Sequence, residues 1–275
     1  MAKLTRKLWV GIGAATIAGA SVGAVAQDAH KAHQGTPPPA TAGKDAAANT
    51  PDQGGEAYLT DGGPRDTRIR FYRDIALMRG HLLVGGQLID LGLWDEALPH
   101  FLHPTEELYG AMEKYIKMHD IRPFSRELQA LAQAVKAKRK GAYEQAQKVV
   151  EQRLEGALAV ARRFMTPLLG FAAKSAAEVL KVALSEYETS IENGRFVKPV
   201  EYQDSRGFVW QAERMIEGAA AELAKADADA LAKIRRDLAE LKTAWPAPMP
   251  PAAPILQPGK MSALISDIEL HTSRY

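Results

Sequence analysis

The stretch over residues 66–91, DTRIRFYRDIALMRGHLLVGGQLIDL, predicts the fold class of the whole chain. Its apolar positions recur at steps of three and four residues, which places them on one stripe of a helix that packs against a core. The stripe consists of Phe71, Ile75, Met78, Leu82, Gly85 and Ile89. We therefore expect a first helix over residues 66–91, which Gly92 ends.

The same pattern continues to the end of the chain. Segments rich in Ala, Leu, Glu and Lys are interrupted by Gly or Pro, and alternation with a period of two residues is almost absent. Helices are predicted over residues 94–101, 104–119, 125–140, 141–165, 167–193, 201–225, 227–245 and 260–271. The expected fold is all-α, with an antiparallel helical bundle over residues 65–245 and a Pro-rich segment with a short C-terminal helix over residues 246–275.

A weak repeat leaves open whether the bundle consists of two similar helical-hairpin lobes. Residues 92–97 (GLWDEA) and 141–146 (GAYEQA) share the order glycine, apolar, aromatic, acidic, polar, alanine. Near the first copy, Gly85 and Phe101 look like the consensus of a tetratricopeptide hairpin, in which a small residue lets two helices approach. The period of about 34 residues that such an array requires is absent, so we do not expect one.

The first 26 residues are typical of a signal peptide. Lys3, Arg6 and Lys7 precede an apolar run over residues 8–20, and residues 24–26 (AVA) form a small-x-small cleavage pattern. We therefore expect a periplasmic protein that retains no stable membrane span after cleavage. Residues 27–64 are rich in Ala, Gly, Pro and Thr, which predicts a flexible linker.

Composition and missing motifs narrow the function. The chain has no cysteine, which excludes disulfides and thiolate ligands, and 35 basic residues against 33 acidic ones create no overall field for nucleic acid. The sequence contains neither the Gly-x-Ser-x-Gly, phosphate-loop and dinucleotide-binding motifs nor His-Glu-x-x-His. We therefore do not expect an enzyme.

Four of the seven histidines fall within residues 81–119. His100 and His103 are three residues apart, so on a helix they face one direction, and His81 or Glu107 would add a further donor. Imidazole and carboxylate ligands suit iron, zinc or copper. The alternative is structural: Pro104 begins a helix, His103 caps it, and His81 packs singly beside the apolar stripe.

A second candidate site consists of oxygen ligands. Glu188, Glu201 and Asp204 could bind a hard cation, and the phenols of Tyr187 and Tyr202 could assist as hydrogen-bond donors. The alternative is that these tyrosines and acids lock two helices together by hydrogen bonding.

Residues 184–188 (LSEYE), 193–196 (NGRF) and 199–204 (PVEYQD) carry a family resemblance. A helix ends in an acidic pattern with a tyrosine, and after a glycine turn a second Glu-Tyr pair is followed by an acid. This resembles the extracytoplasmic helical region of bacterial high-affinity iron permeases of the oxidase-dependent iron transporter family, and related periplasmic iron-uptake proteins. The resemblance implies a soluble accessory or ligand-binding role, and not transport, because the Arg-Glu-x-x-Glu motif of the permeases is absent.

Two hypotheses of function result. The first is a periplasmic binding or accessory protein in metal uptake or homeostasis, with iron as the first choice of metal and copper or zinc next. The second is a helical-hairpin scaffold that binds a protein partner in the cell envelope.

Overall fold

The computed structural model describes residues 63–275, and within them the all-α prediction is confirmed. The predicted signal peptide and nearly all of the predicted linker lie outside the described residues. The helices in chain order are α1 Thr67–Asp90, α2 Trp94–Ala97, α3 Pro99–His103, α4 Tyr109–Met118, α5 Ser125–Lys136, α6 Lys140–Arg162, α7 Leu168–Thr189, α8 Pro199–Gly218, α9 Ala220–Lys242 and α10 Pro258–Thr272.

Both ends of α1 follow the sequence signals. The Asp66 side chain accepts a hydrogen bond from the backbone N of Arg68 (2.9 Å), which satisfies one free N–H of the first turn. After the helix, Gly92 takes a φ of +80°, a conformation that glycine adopts without strain. The predicted helix over residues 66–91 therefore matches α1 to within one residue at each end.

A π-helical turn, Pro104–Leu108, joins α3 to α4. The prediction that a new helix begins at Pro104 is wrong, because His103 and Pro104 both have helical backbone angles and the chain stays helical through them. A wider turn admits a proline, which lacks the N–H that an α-helix would use. The His103 side chain forms no capping hydrogen bond, so the capping alternative is also wrong.

A two-stranded hairpin connects α7 to α8. Strands β1 (Ile191–Glu192) and β2 (Arg195–Phe196) pair antiparallel, and Asn193 and Gly194 between them have φ values of 51° and 74°. An Asn-Gly turn with both φ values positive matches the twist of a tight hairpin. The preceding helix consequently ends at Thr189, a few residues before the predicted stop.

The helices α7 to α10 pack together, and α1 lies against α7 and α8. Residues 246–275 are predicted to lie outside the bundle, but α10 packs against α7 and α9. It contributes Met261, Leu264 and Ile268 to the hydrophobic core. Because its apolar stripe is buried against the bundle, the C-terminal helix belongs to the same core.

The two copies of the weak repeat lie against each other. Trp94 and Tyr143 contact edge to face with ring centroids 6.0 Å apart, and Tyr143 also meets Phe101 edge to face at 5.7 Å.

In the part of the chain that the structure describes, none of the helices combines the length and the apolar character that crossing a membrane requires.

Candidate metal centre

Two glycines bring α1 and α8 into backbone contact. A Cβ atom at Gly207 would overlap the carbonyl oxygen of Gly80, and a Cβ atom at Gly80 would lie 2.6 Å from the Phe208 ring. His81 directly follows the first glycine, and Asp204 lies one turn before the second. At this crossing Nδ1 of His81 donates to Oδ1 of Asp204 over 2.6 Å.

A third glycine places α3 on the same part of α1. A Cβ atom at Gly85 would lie 2.6 Å from the Phe101 ring and 3.2 Å from Cβ of His100, as expected where a small residue admits a neighbouring helix. His100 is fully buried there. Its Nδ1 is 2.7 Å from Oδ1 of Asp204, and its Nε2 is 2.8 Å from Oε1 of Gln203.

His103 completes the cluster from the last position of α3. Its Nδ1 lies 3.3 Å from Oδ2 of Asp204, the oxygen that His81 and His100 leave available. Its Nε2 lies 3.7 Å from Oε1 of Glu107 in the π-helical turn. The predicted spacing of His100 and His103 therefore does place both rings toward one carboxylate, which α8 supplies.

Three of these side chains form a group of metal-ligand type. One ligand atom each from His81, His103 and Asp204 lies within 4.8 Å of the others. The rings of His81 and His103 are nearly perpendicular, with centroids 5.2 Å apart. His100 does not belong to this group, and both of its nitrogens are held by oxygen acceptors at 2.7 and 2.8 Å, closer than the oxygens that face His103. We therefore assign His100 a positioning role.

The electrostatics of the cluster favour an ionised Asp204. Burial by itself would raise the pKa of Asp204, but the neighbouring imidazoles of His81, His100 and His103 hold it well below its usual range. An ionised carboxylate can only accept hydrogen bonds, so Nδ1 of His81 carries a proton and Nε2 of a neutral ring keeps a free lone pair. Burial lowers the pKa of His81 in spite of Asp204, which favours the neutral ring that metals bind.

His103 behaves differently because it lies among carboxylates. Burial favours its neutral form, but the hydrogen bond and charge of Asp204, together with Glu107 and Glu186, raise its pKa to about 9. The side chains of His103 and Glu107 are 22% and 26% exposed, whereas His81 and Asp204 are buried. The cluster is therefore reached from solvent on the side of His103 and Glu107.

The second predicted site does not form as a separate group in the described residues. Asp204 joins the histidines, Glu188 is exposed, and neither Glu188 nor Glu201 belongs to the group of three ligands. Glu201 is buried; its Oε1 accepts no hydrogen bond from any described residue and lies 3.8 Å from Nζ of Lys198. What the structure brings together is one site, with Glu107 beside it.

The two predicted tyrosines bind backbone. Tyr187 donates to the carbonyl oxygen of Leu256 (2.8 Å), and Tyr202 donates to that of Ala247 (3.1 Å). Both acceptors lie in the Pro-rich segment over residues 246–257, which we call the strap. The phenols thus hold the strap against the ends of α7 and α8.

Sequence reasoning missed three contributors to the site: Gln203, Glu186 and Met249. Gln203 orients His100, and its Nε2 lies 3.4 Å from Sδ of Met249 in the strap. Nothing in the local sequence marks these residues as neighbours of the histidine cluster, because they follow His100 and His103 by more than 80 positions. A detectable signal was Gly80 and Gly207, since a lone glycine inside a helical pattern indicates close packing.

The fold and the cluster define an all-helical protein with a buried His/Asp group, and a family comparison extends this description. Residues 168–275 match a family described as the iron permease-associated 4-helix bundle domain. The match contains α7 to α10, confirms the resemblance found in the sequence, and links this part of the chain to iron uptake. No curated protein and no solved structure matches the chain. Asp204 lies inside the matched range, whereas the three histidines lie before it.

Proposed function

We propose that the protein is a periplasmic accessory protein of iron uptake that binds ferrous iron through His81, His103 and Asp204. The observation that carries the proposal is the convergence of these three side chains within 4.8 Å from distant parts of the chain. Two imidazoles and one carboxylate with open positions form the donor set typical of non-haem Fe(II). Copper and zinc also accept imidazole ligands and are the competing cargoes.

The surroundings of the group support binding. Glu107 and Glu186 influence His103 electrostatically, so the cluster offers negative charge beyond that of Asp204. That charge compensates the charge of a divalent cation, and bound metal replaces the proton that His103 holds at neutral pH. Glu107 is partly exposed at the open side, where it could deliver an ion to the buried ligands.

Periplasmic location and an accessory role without catalysis are parts of this proposal. The location is supported by the signal-peptide pattern, and the connection with iron by the family match over residues 168–275. The alternative hypothesis, a scaffold for a protein of the cell envelope, stays a prediction.

Anaerobic calorimetry with Fe(II), repeated with Zn(II) and Cu(II), tests the proposal on the purified protein. We expect one ion per chain, and we expect His103→Ala and Asp204→Asn each to weaken Fe(II) binding at least 100-fold. Glu188→Gln is the matched control, because it removes an exposed acid of the sequence-predicted cluster and should leave affinity unchanged. Circular dichroism shows that each variant is folded. Absence of Fe(II) binding by the wild-type protein would contradict the proposal.

A further inference from the structure

A cleft outside the metal centre lies between α6 and the C-terminal helices. It has a volume of about 730 Å³, with α1 as its floor and with walls from α6 on one side and from α7, α8 and the start of α9 on the other. Cavities of about 300–1,000 Å³ are of the size that holds small organic ligands. None of the three metal-ligand residues lines this cleft, so it is separate from the metal centre.

Three helices direct polar groups without partners into the lining. The Gln211 side chain on α8 is only 6% exposed and forms no hydrogen bond with any described residue. Among residues 63–275, the buried Oε1 of Gln147 on α6 has no hydrogen-bond partner, and neither has the buried Nε of Arg79 on α1. Buried polar groups are nearly always hydrogen-bonded, so the unpaired donor of Arg79 and the unpaired acceptor of Gln147, in the same lining as the Gln211 amide, indicate a missing ligand.

The charges inside the cleft neutralise one another. Nη2 of Arg79 lies 2.6 Å from Glu151 and 3.0 Å from Glu155, and Glu155 also meets Arg162 at 2.7 Å. The paired side chains therefore have no net charge that a bound ligand would need to neutralise. What it lacks is a group that both donates and accepts hydrogen bonds, and an amide is such a group.

The mouth of the cleft adds one free charge of each sign. Arg214 on α8 and Glu222 on α9 are both exposed, and neither forms an ion pair among residues 63–275. The apolar part of the lining includes Ile75 and Leu82 of the floor and Met215 of α8. A ligand that satisfies all of these features has amides in the middle, apolar side groups, a carboxylate and an ammonium.

We propose that the cleft binds a short peptide with apolar side chains. The peptide amides pair with Gln211 and Gln147, the carboxylate with Arg214 and the ammonium with Glu222. The apolar side groups occupy the floor. Such binding would give the protein an organic ligand in addition to its metal, and it does not depend on the metal centre.

Calorimetry with trileucine, in the presence of EDTA, tests this proposal. We expect binding to the wild-type protein with a dissociation constant below about 1 mM. Gln211→Leu removes one buried amide and should weaken binding about fivefold or more, and Arg214→Glu should weaken it because it repels the carboxylate. The matched control is Gln129→Leu, on an exposed position of α5 outside the cleft, and it should bind as the wild type does.

The melting temperature of each variant shows whether weaker binding results from loss of the fold. Since Gln211 has no partner to lose, its replacement should leave the melting temperature unchanged or higher. Absence of heat with trileucine, or equal affinity of Gln211→Leu and Gln129→Leu, overturns the proposal. Trileucine that is acetylated and amidated lacks both terminal charges, and equal affinity for this blocked peptide would overturn the assignment of Arg214 and Glu222.

Discussion

Gly80 of α1 and Gly207 of α8 are in contact backbone to backbone, and their crossing sets the distance between His81 and Asp204. Neither position has room for a methyl group. The site thus depends on two residues that carry no side chain at all. The packing of two helices, and not a loop, fixes the positions of His81 and Asp204.

Gly207→Ala should destabilise the protein by about 1–3 kcal/mol and weaken metal binding. The added Cβ atom overlaps the Gly80 carbonyl oxygen, so α8 must shift away from α1, as is typical of an overpacked core. Urea unfolding measures the loss of stability, and calorimetry measures the loss of affinity.

Gly110→Ala in α4 is the control for this substitution. A Cβ atom there meets no atom within 4 Å, and alanine is the better helix former, so the variant should gain up to about 1 kcal/mol. Equal stability of the two variants would show that the crossing is looser than the structure indicates.

The stability of the metal-free protein should fall as the pH rises from 7 to 10. Burial would lower the pKa of His103, but Asp204 and the acidic neighbours of the ring outweigh it and raise this pKa from its ordinary 6.5 to about 9 in the folded state. A raised histidine pKa contributes stability that is fully present below pH 6.5 and is lost as the pH rises through about 9. The loss is on the order of 1–3 kcal/mol.

Chemical unfolding at several pH values, in the presence of EDTA, measures this dependence. His103→Gln removes the titrating group and should flatten the curve over the same interval. Other groups titrate there too, so the difference between the two proteins is the decisive quantity. An identical pH dependence for both would contradict the assignment.

Gln203→Leu should weaken metal binding about 10–100-fold, although Gln203 is no ligand. Its amide oxygen is 2.8 Å from Nε2 of His100, and His100 in turn fixes Asp204. Partners of this kind orient metal ligands, and their loss typically has an effect of this size.

Gln203→Glu is the variant that separates positioning from folding. It keeps an oxygen acceptor opposite His100 and should restore most of the affinity. Met249→Leu, which removes the sulfur near Gln203 but keeps the volume, should change affinity less than Gln203→Leu does. Calorimetry and a thermal melt of each variant provide the two readouts.

Asp74→Ala should cost about 3–5 kcal/mol of stability. Arg73 and Asp74 form a buried ion pair at 2.7 Å, and the side chains are 1% and 2% exposed. Burial raises the pKa of Asp74 although Arg73 opposes it, and removal of the acid leaves a guanidinium without compensation.

The double variant Arg73→Met with Asp74→Leu should recover most of that loss. Apolar side chains of similar volume remove both buried charges at once, which is often neutral or stabilising. Urea unfolding of the single and double variants decides the point. A double variant as unstable as Asp74→Ala would mean that the pair contributes specific packing.

Much of the fold could be predicted because its signals are local. Asp66 and Gly92 bound α1 through capping and a left-handed conformation, and both act within one turn of the chain. The π-helical turn could not be predicted from Pro104, because a proline after histidine is equally typical of a helix start. Only the surrounding packing favours continuation.

The types of ligand residue in the site could be predicted from the sequence, but which residues come together could not. His100 and His103 share a helix face by spacing alone, and the sequence pointed to them. Asp204 joins these histidines, and not Glu188 and Glu201, because α1 and α8 cross at Gly80 and Gly207. His100 and Asp204 are more than 100 residues apart along the chain, so local sequence does not reveal this contact.

By itself the sequence determined the helices, their approximate ends and the candidate donor types, because periodicity, caps and side-chain chemistry act over a few residues. The tertiary structure alone decided which donors meet, that His81, His103 and Asp204 converge while His100 pairs with Asp204 and Gln203, and that a cleft containing Gln147 and Gln211 lies beside α6. The physical reason is that contacts between distant segments follow from the packing of whole helices, and glycine crossings set that packing to within a few ångströms.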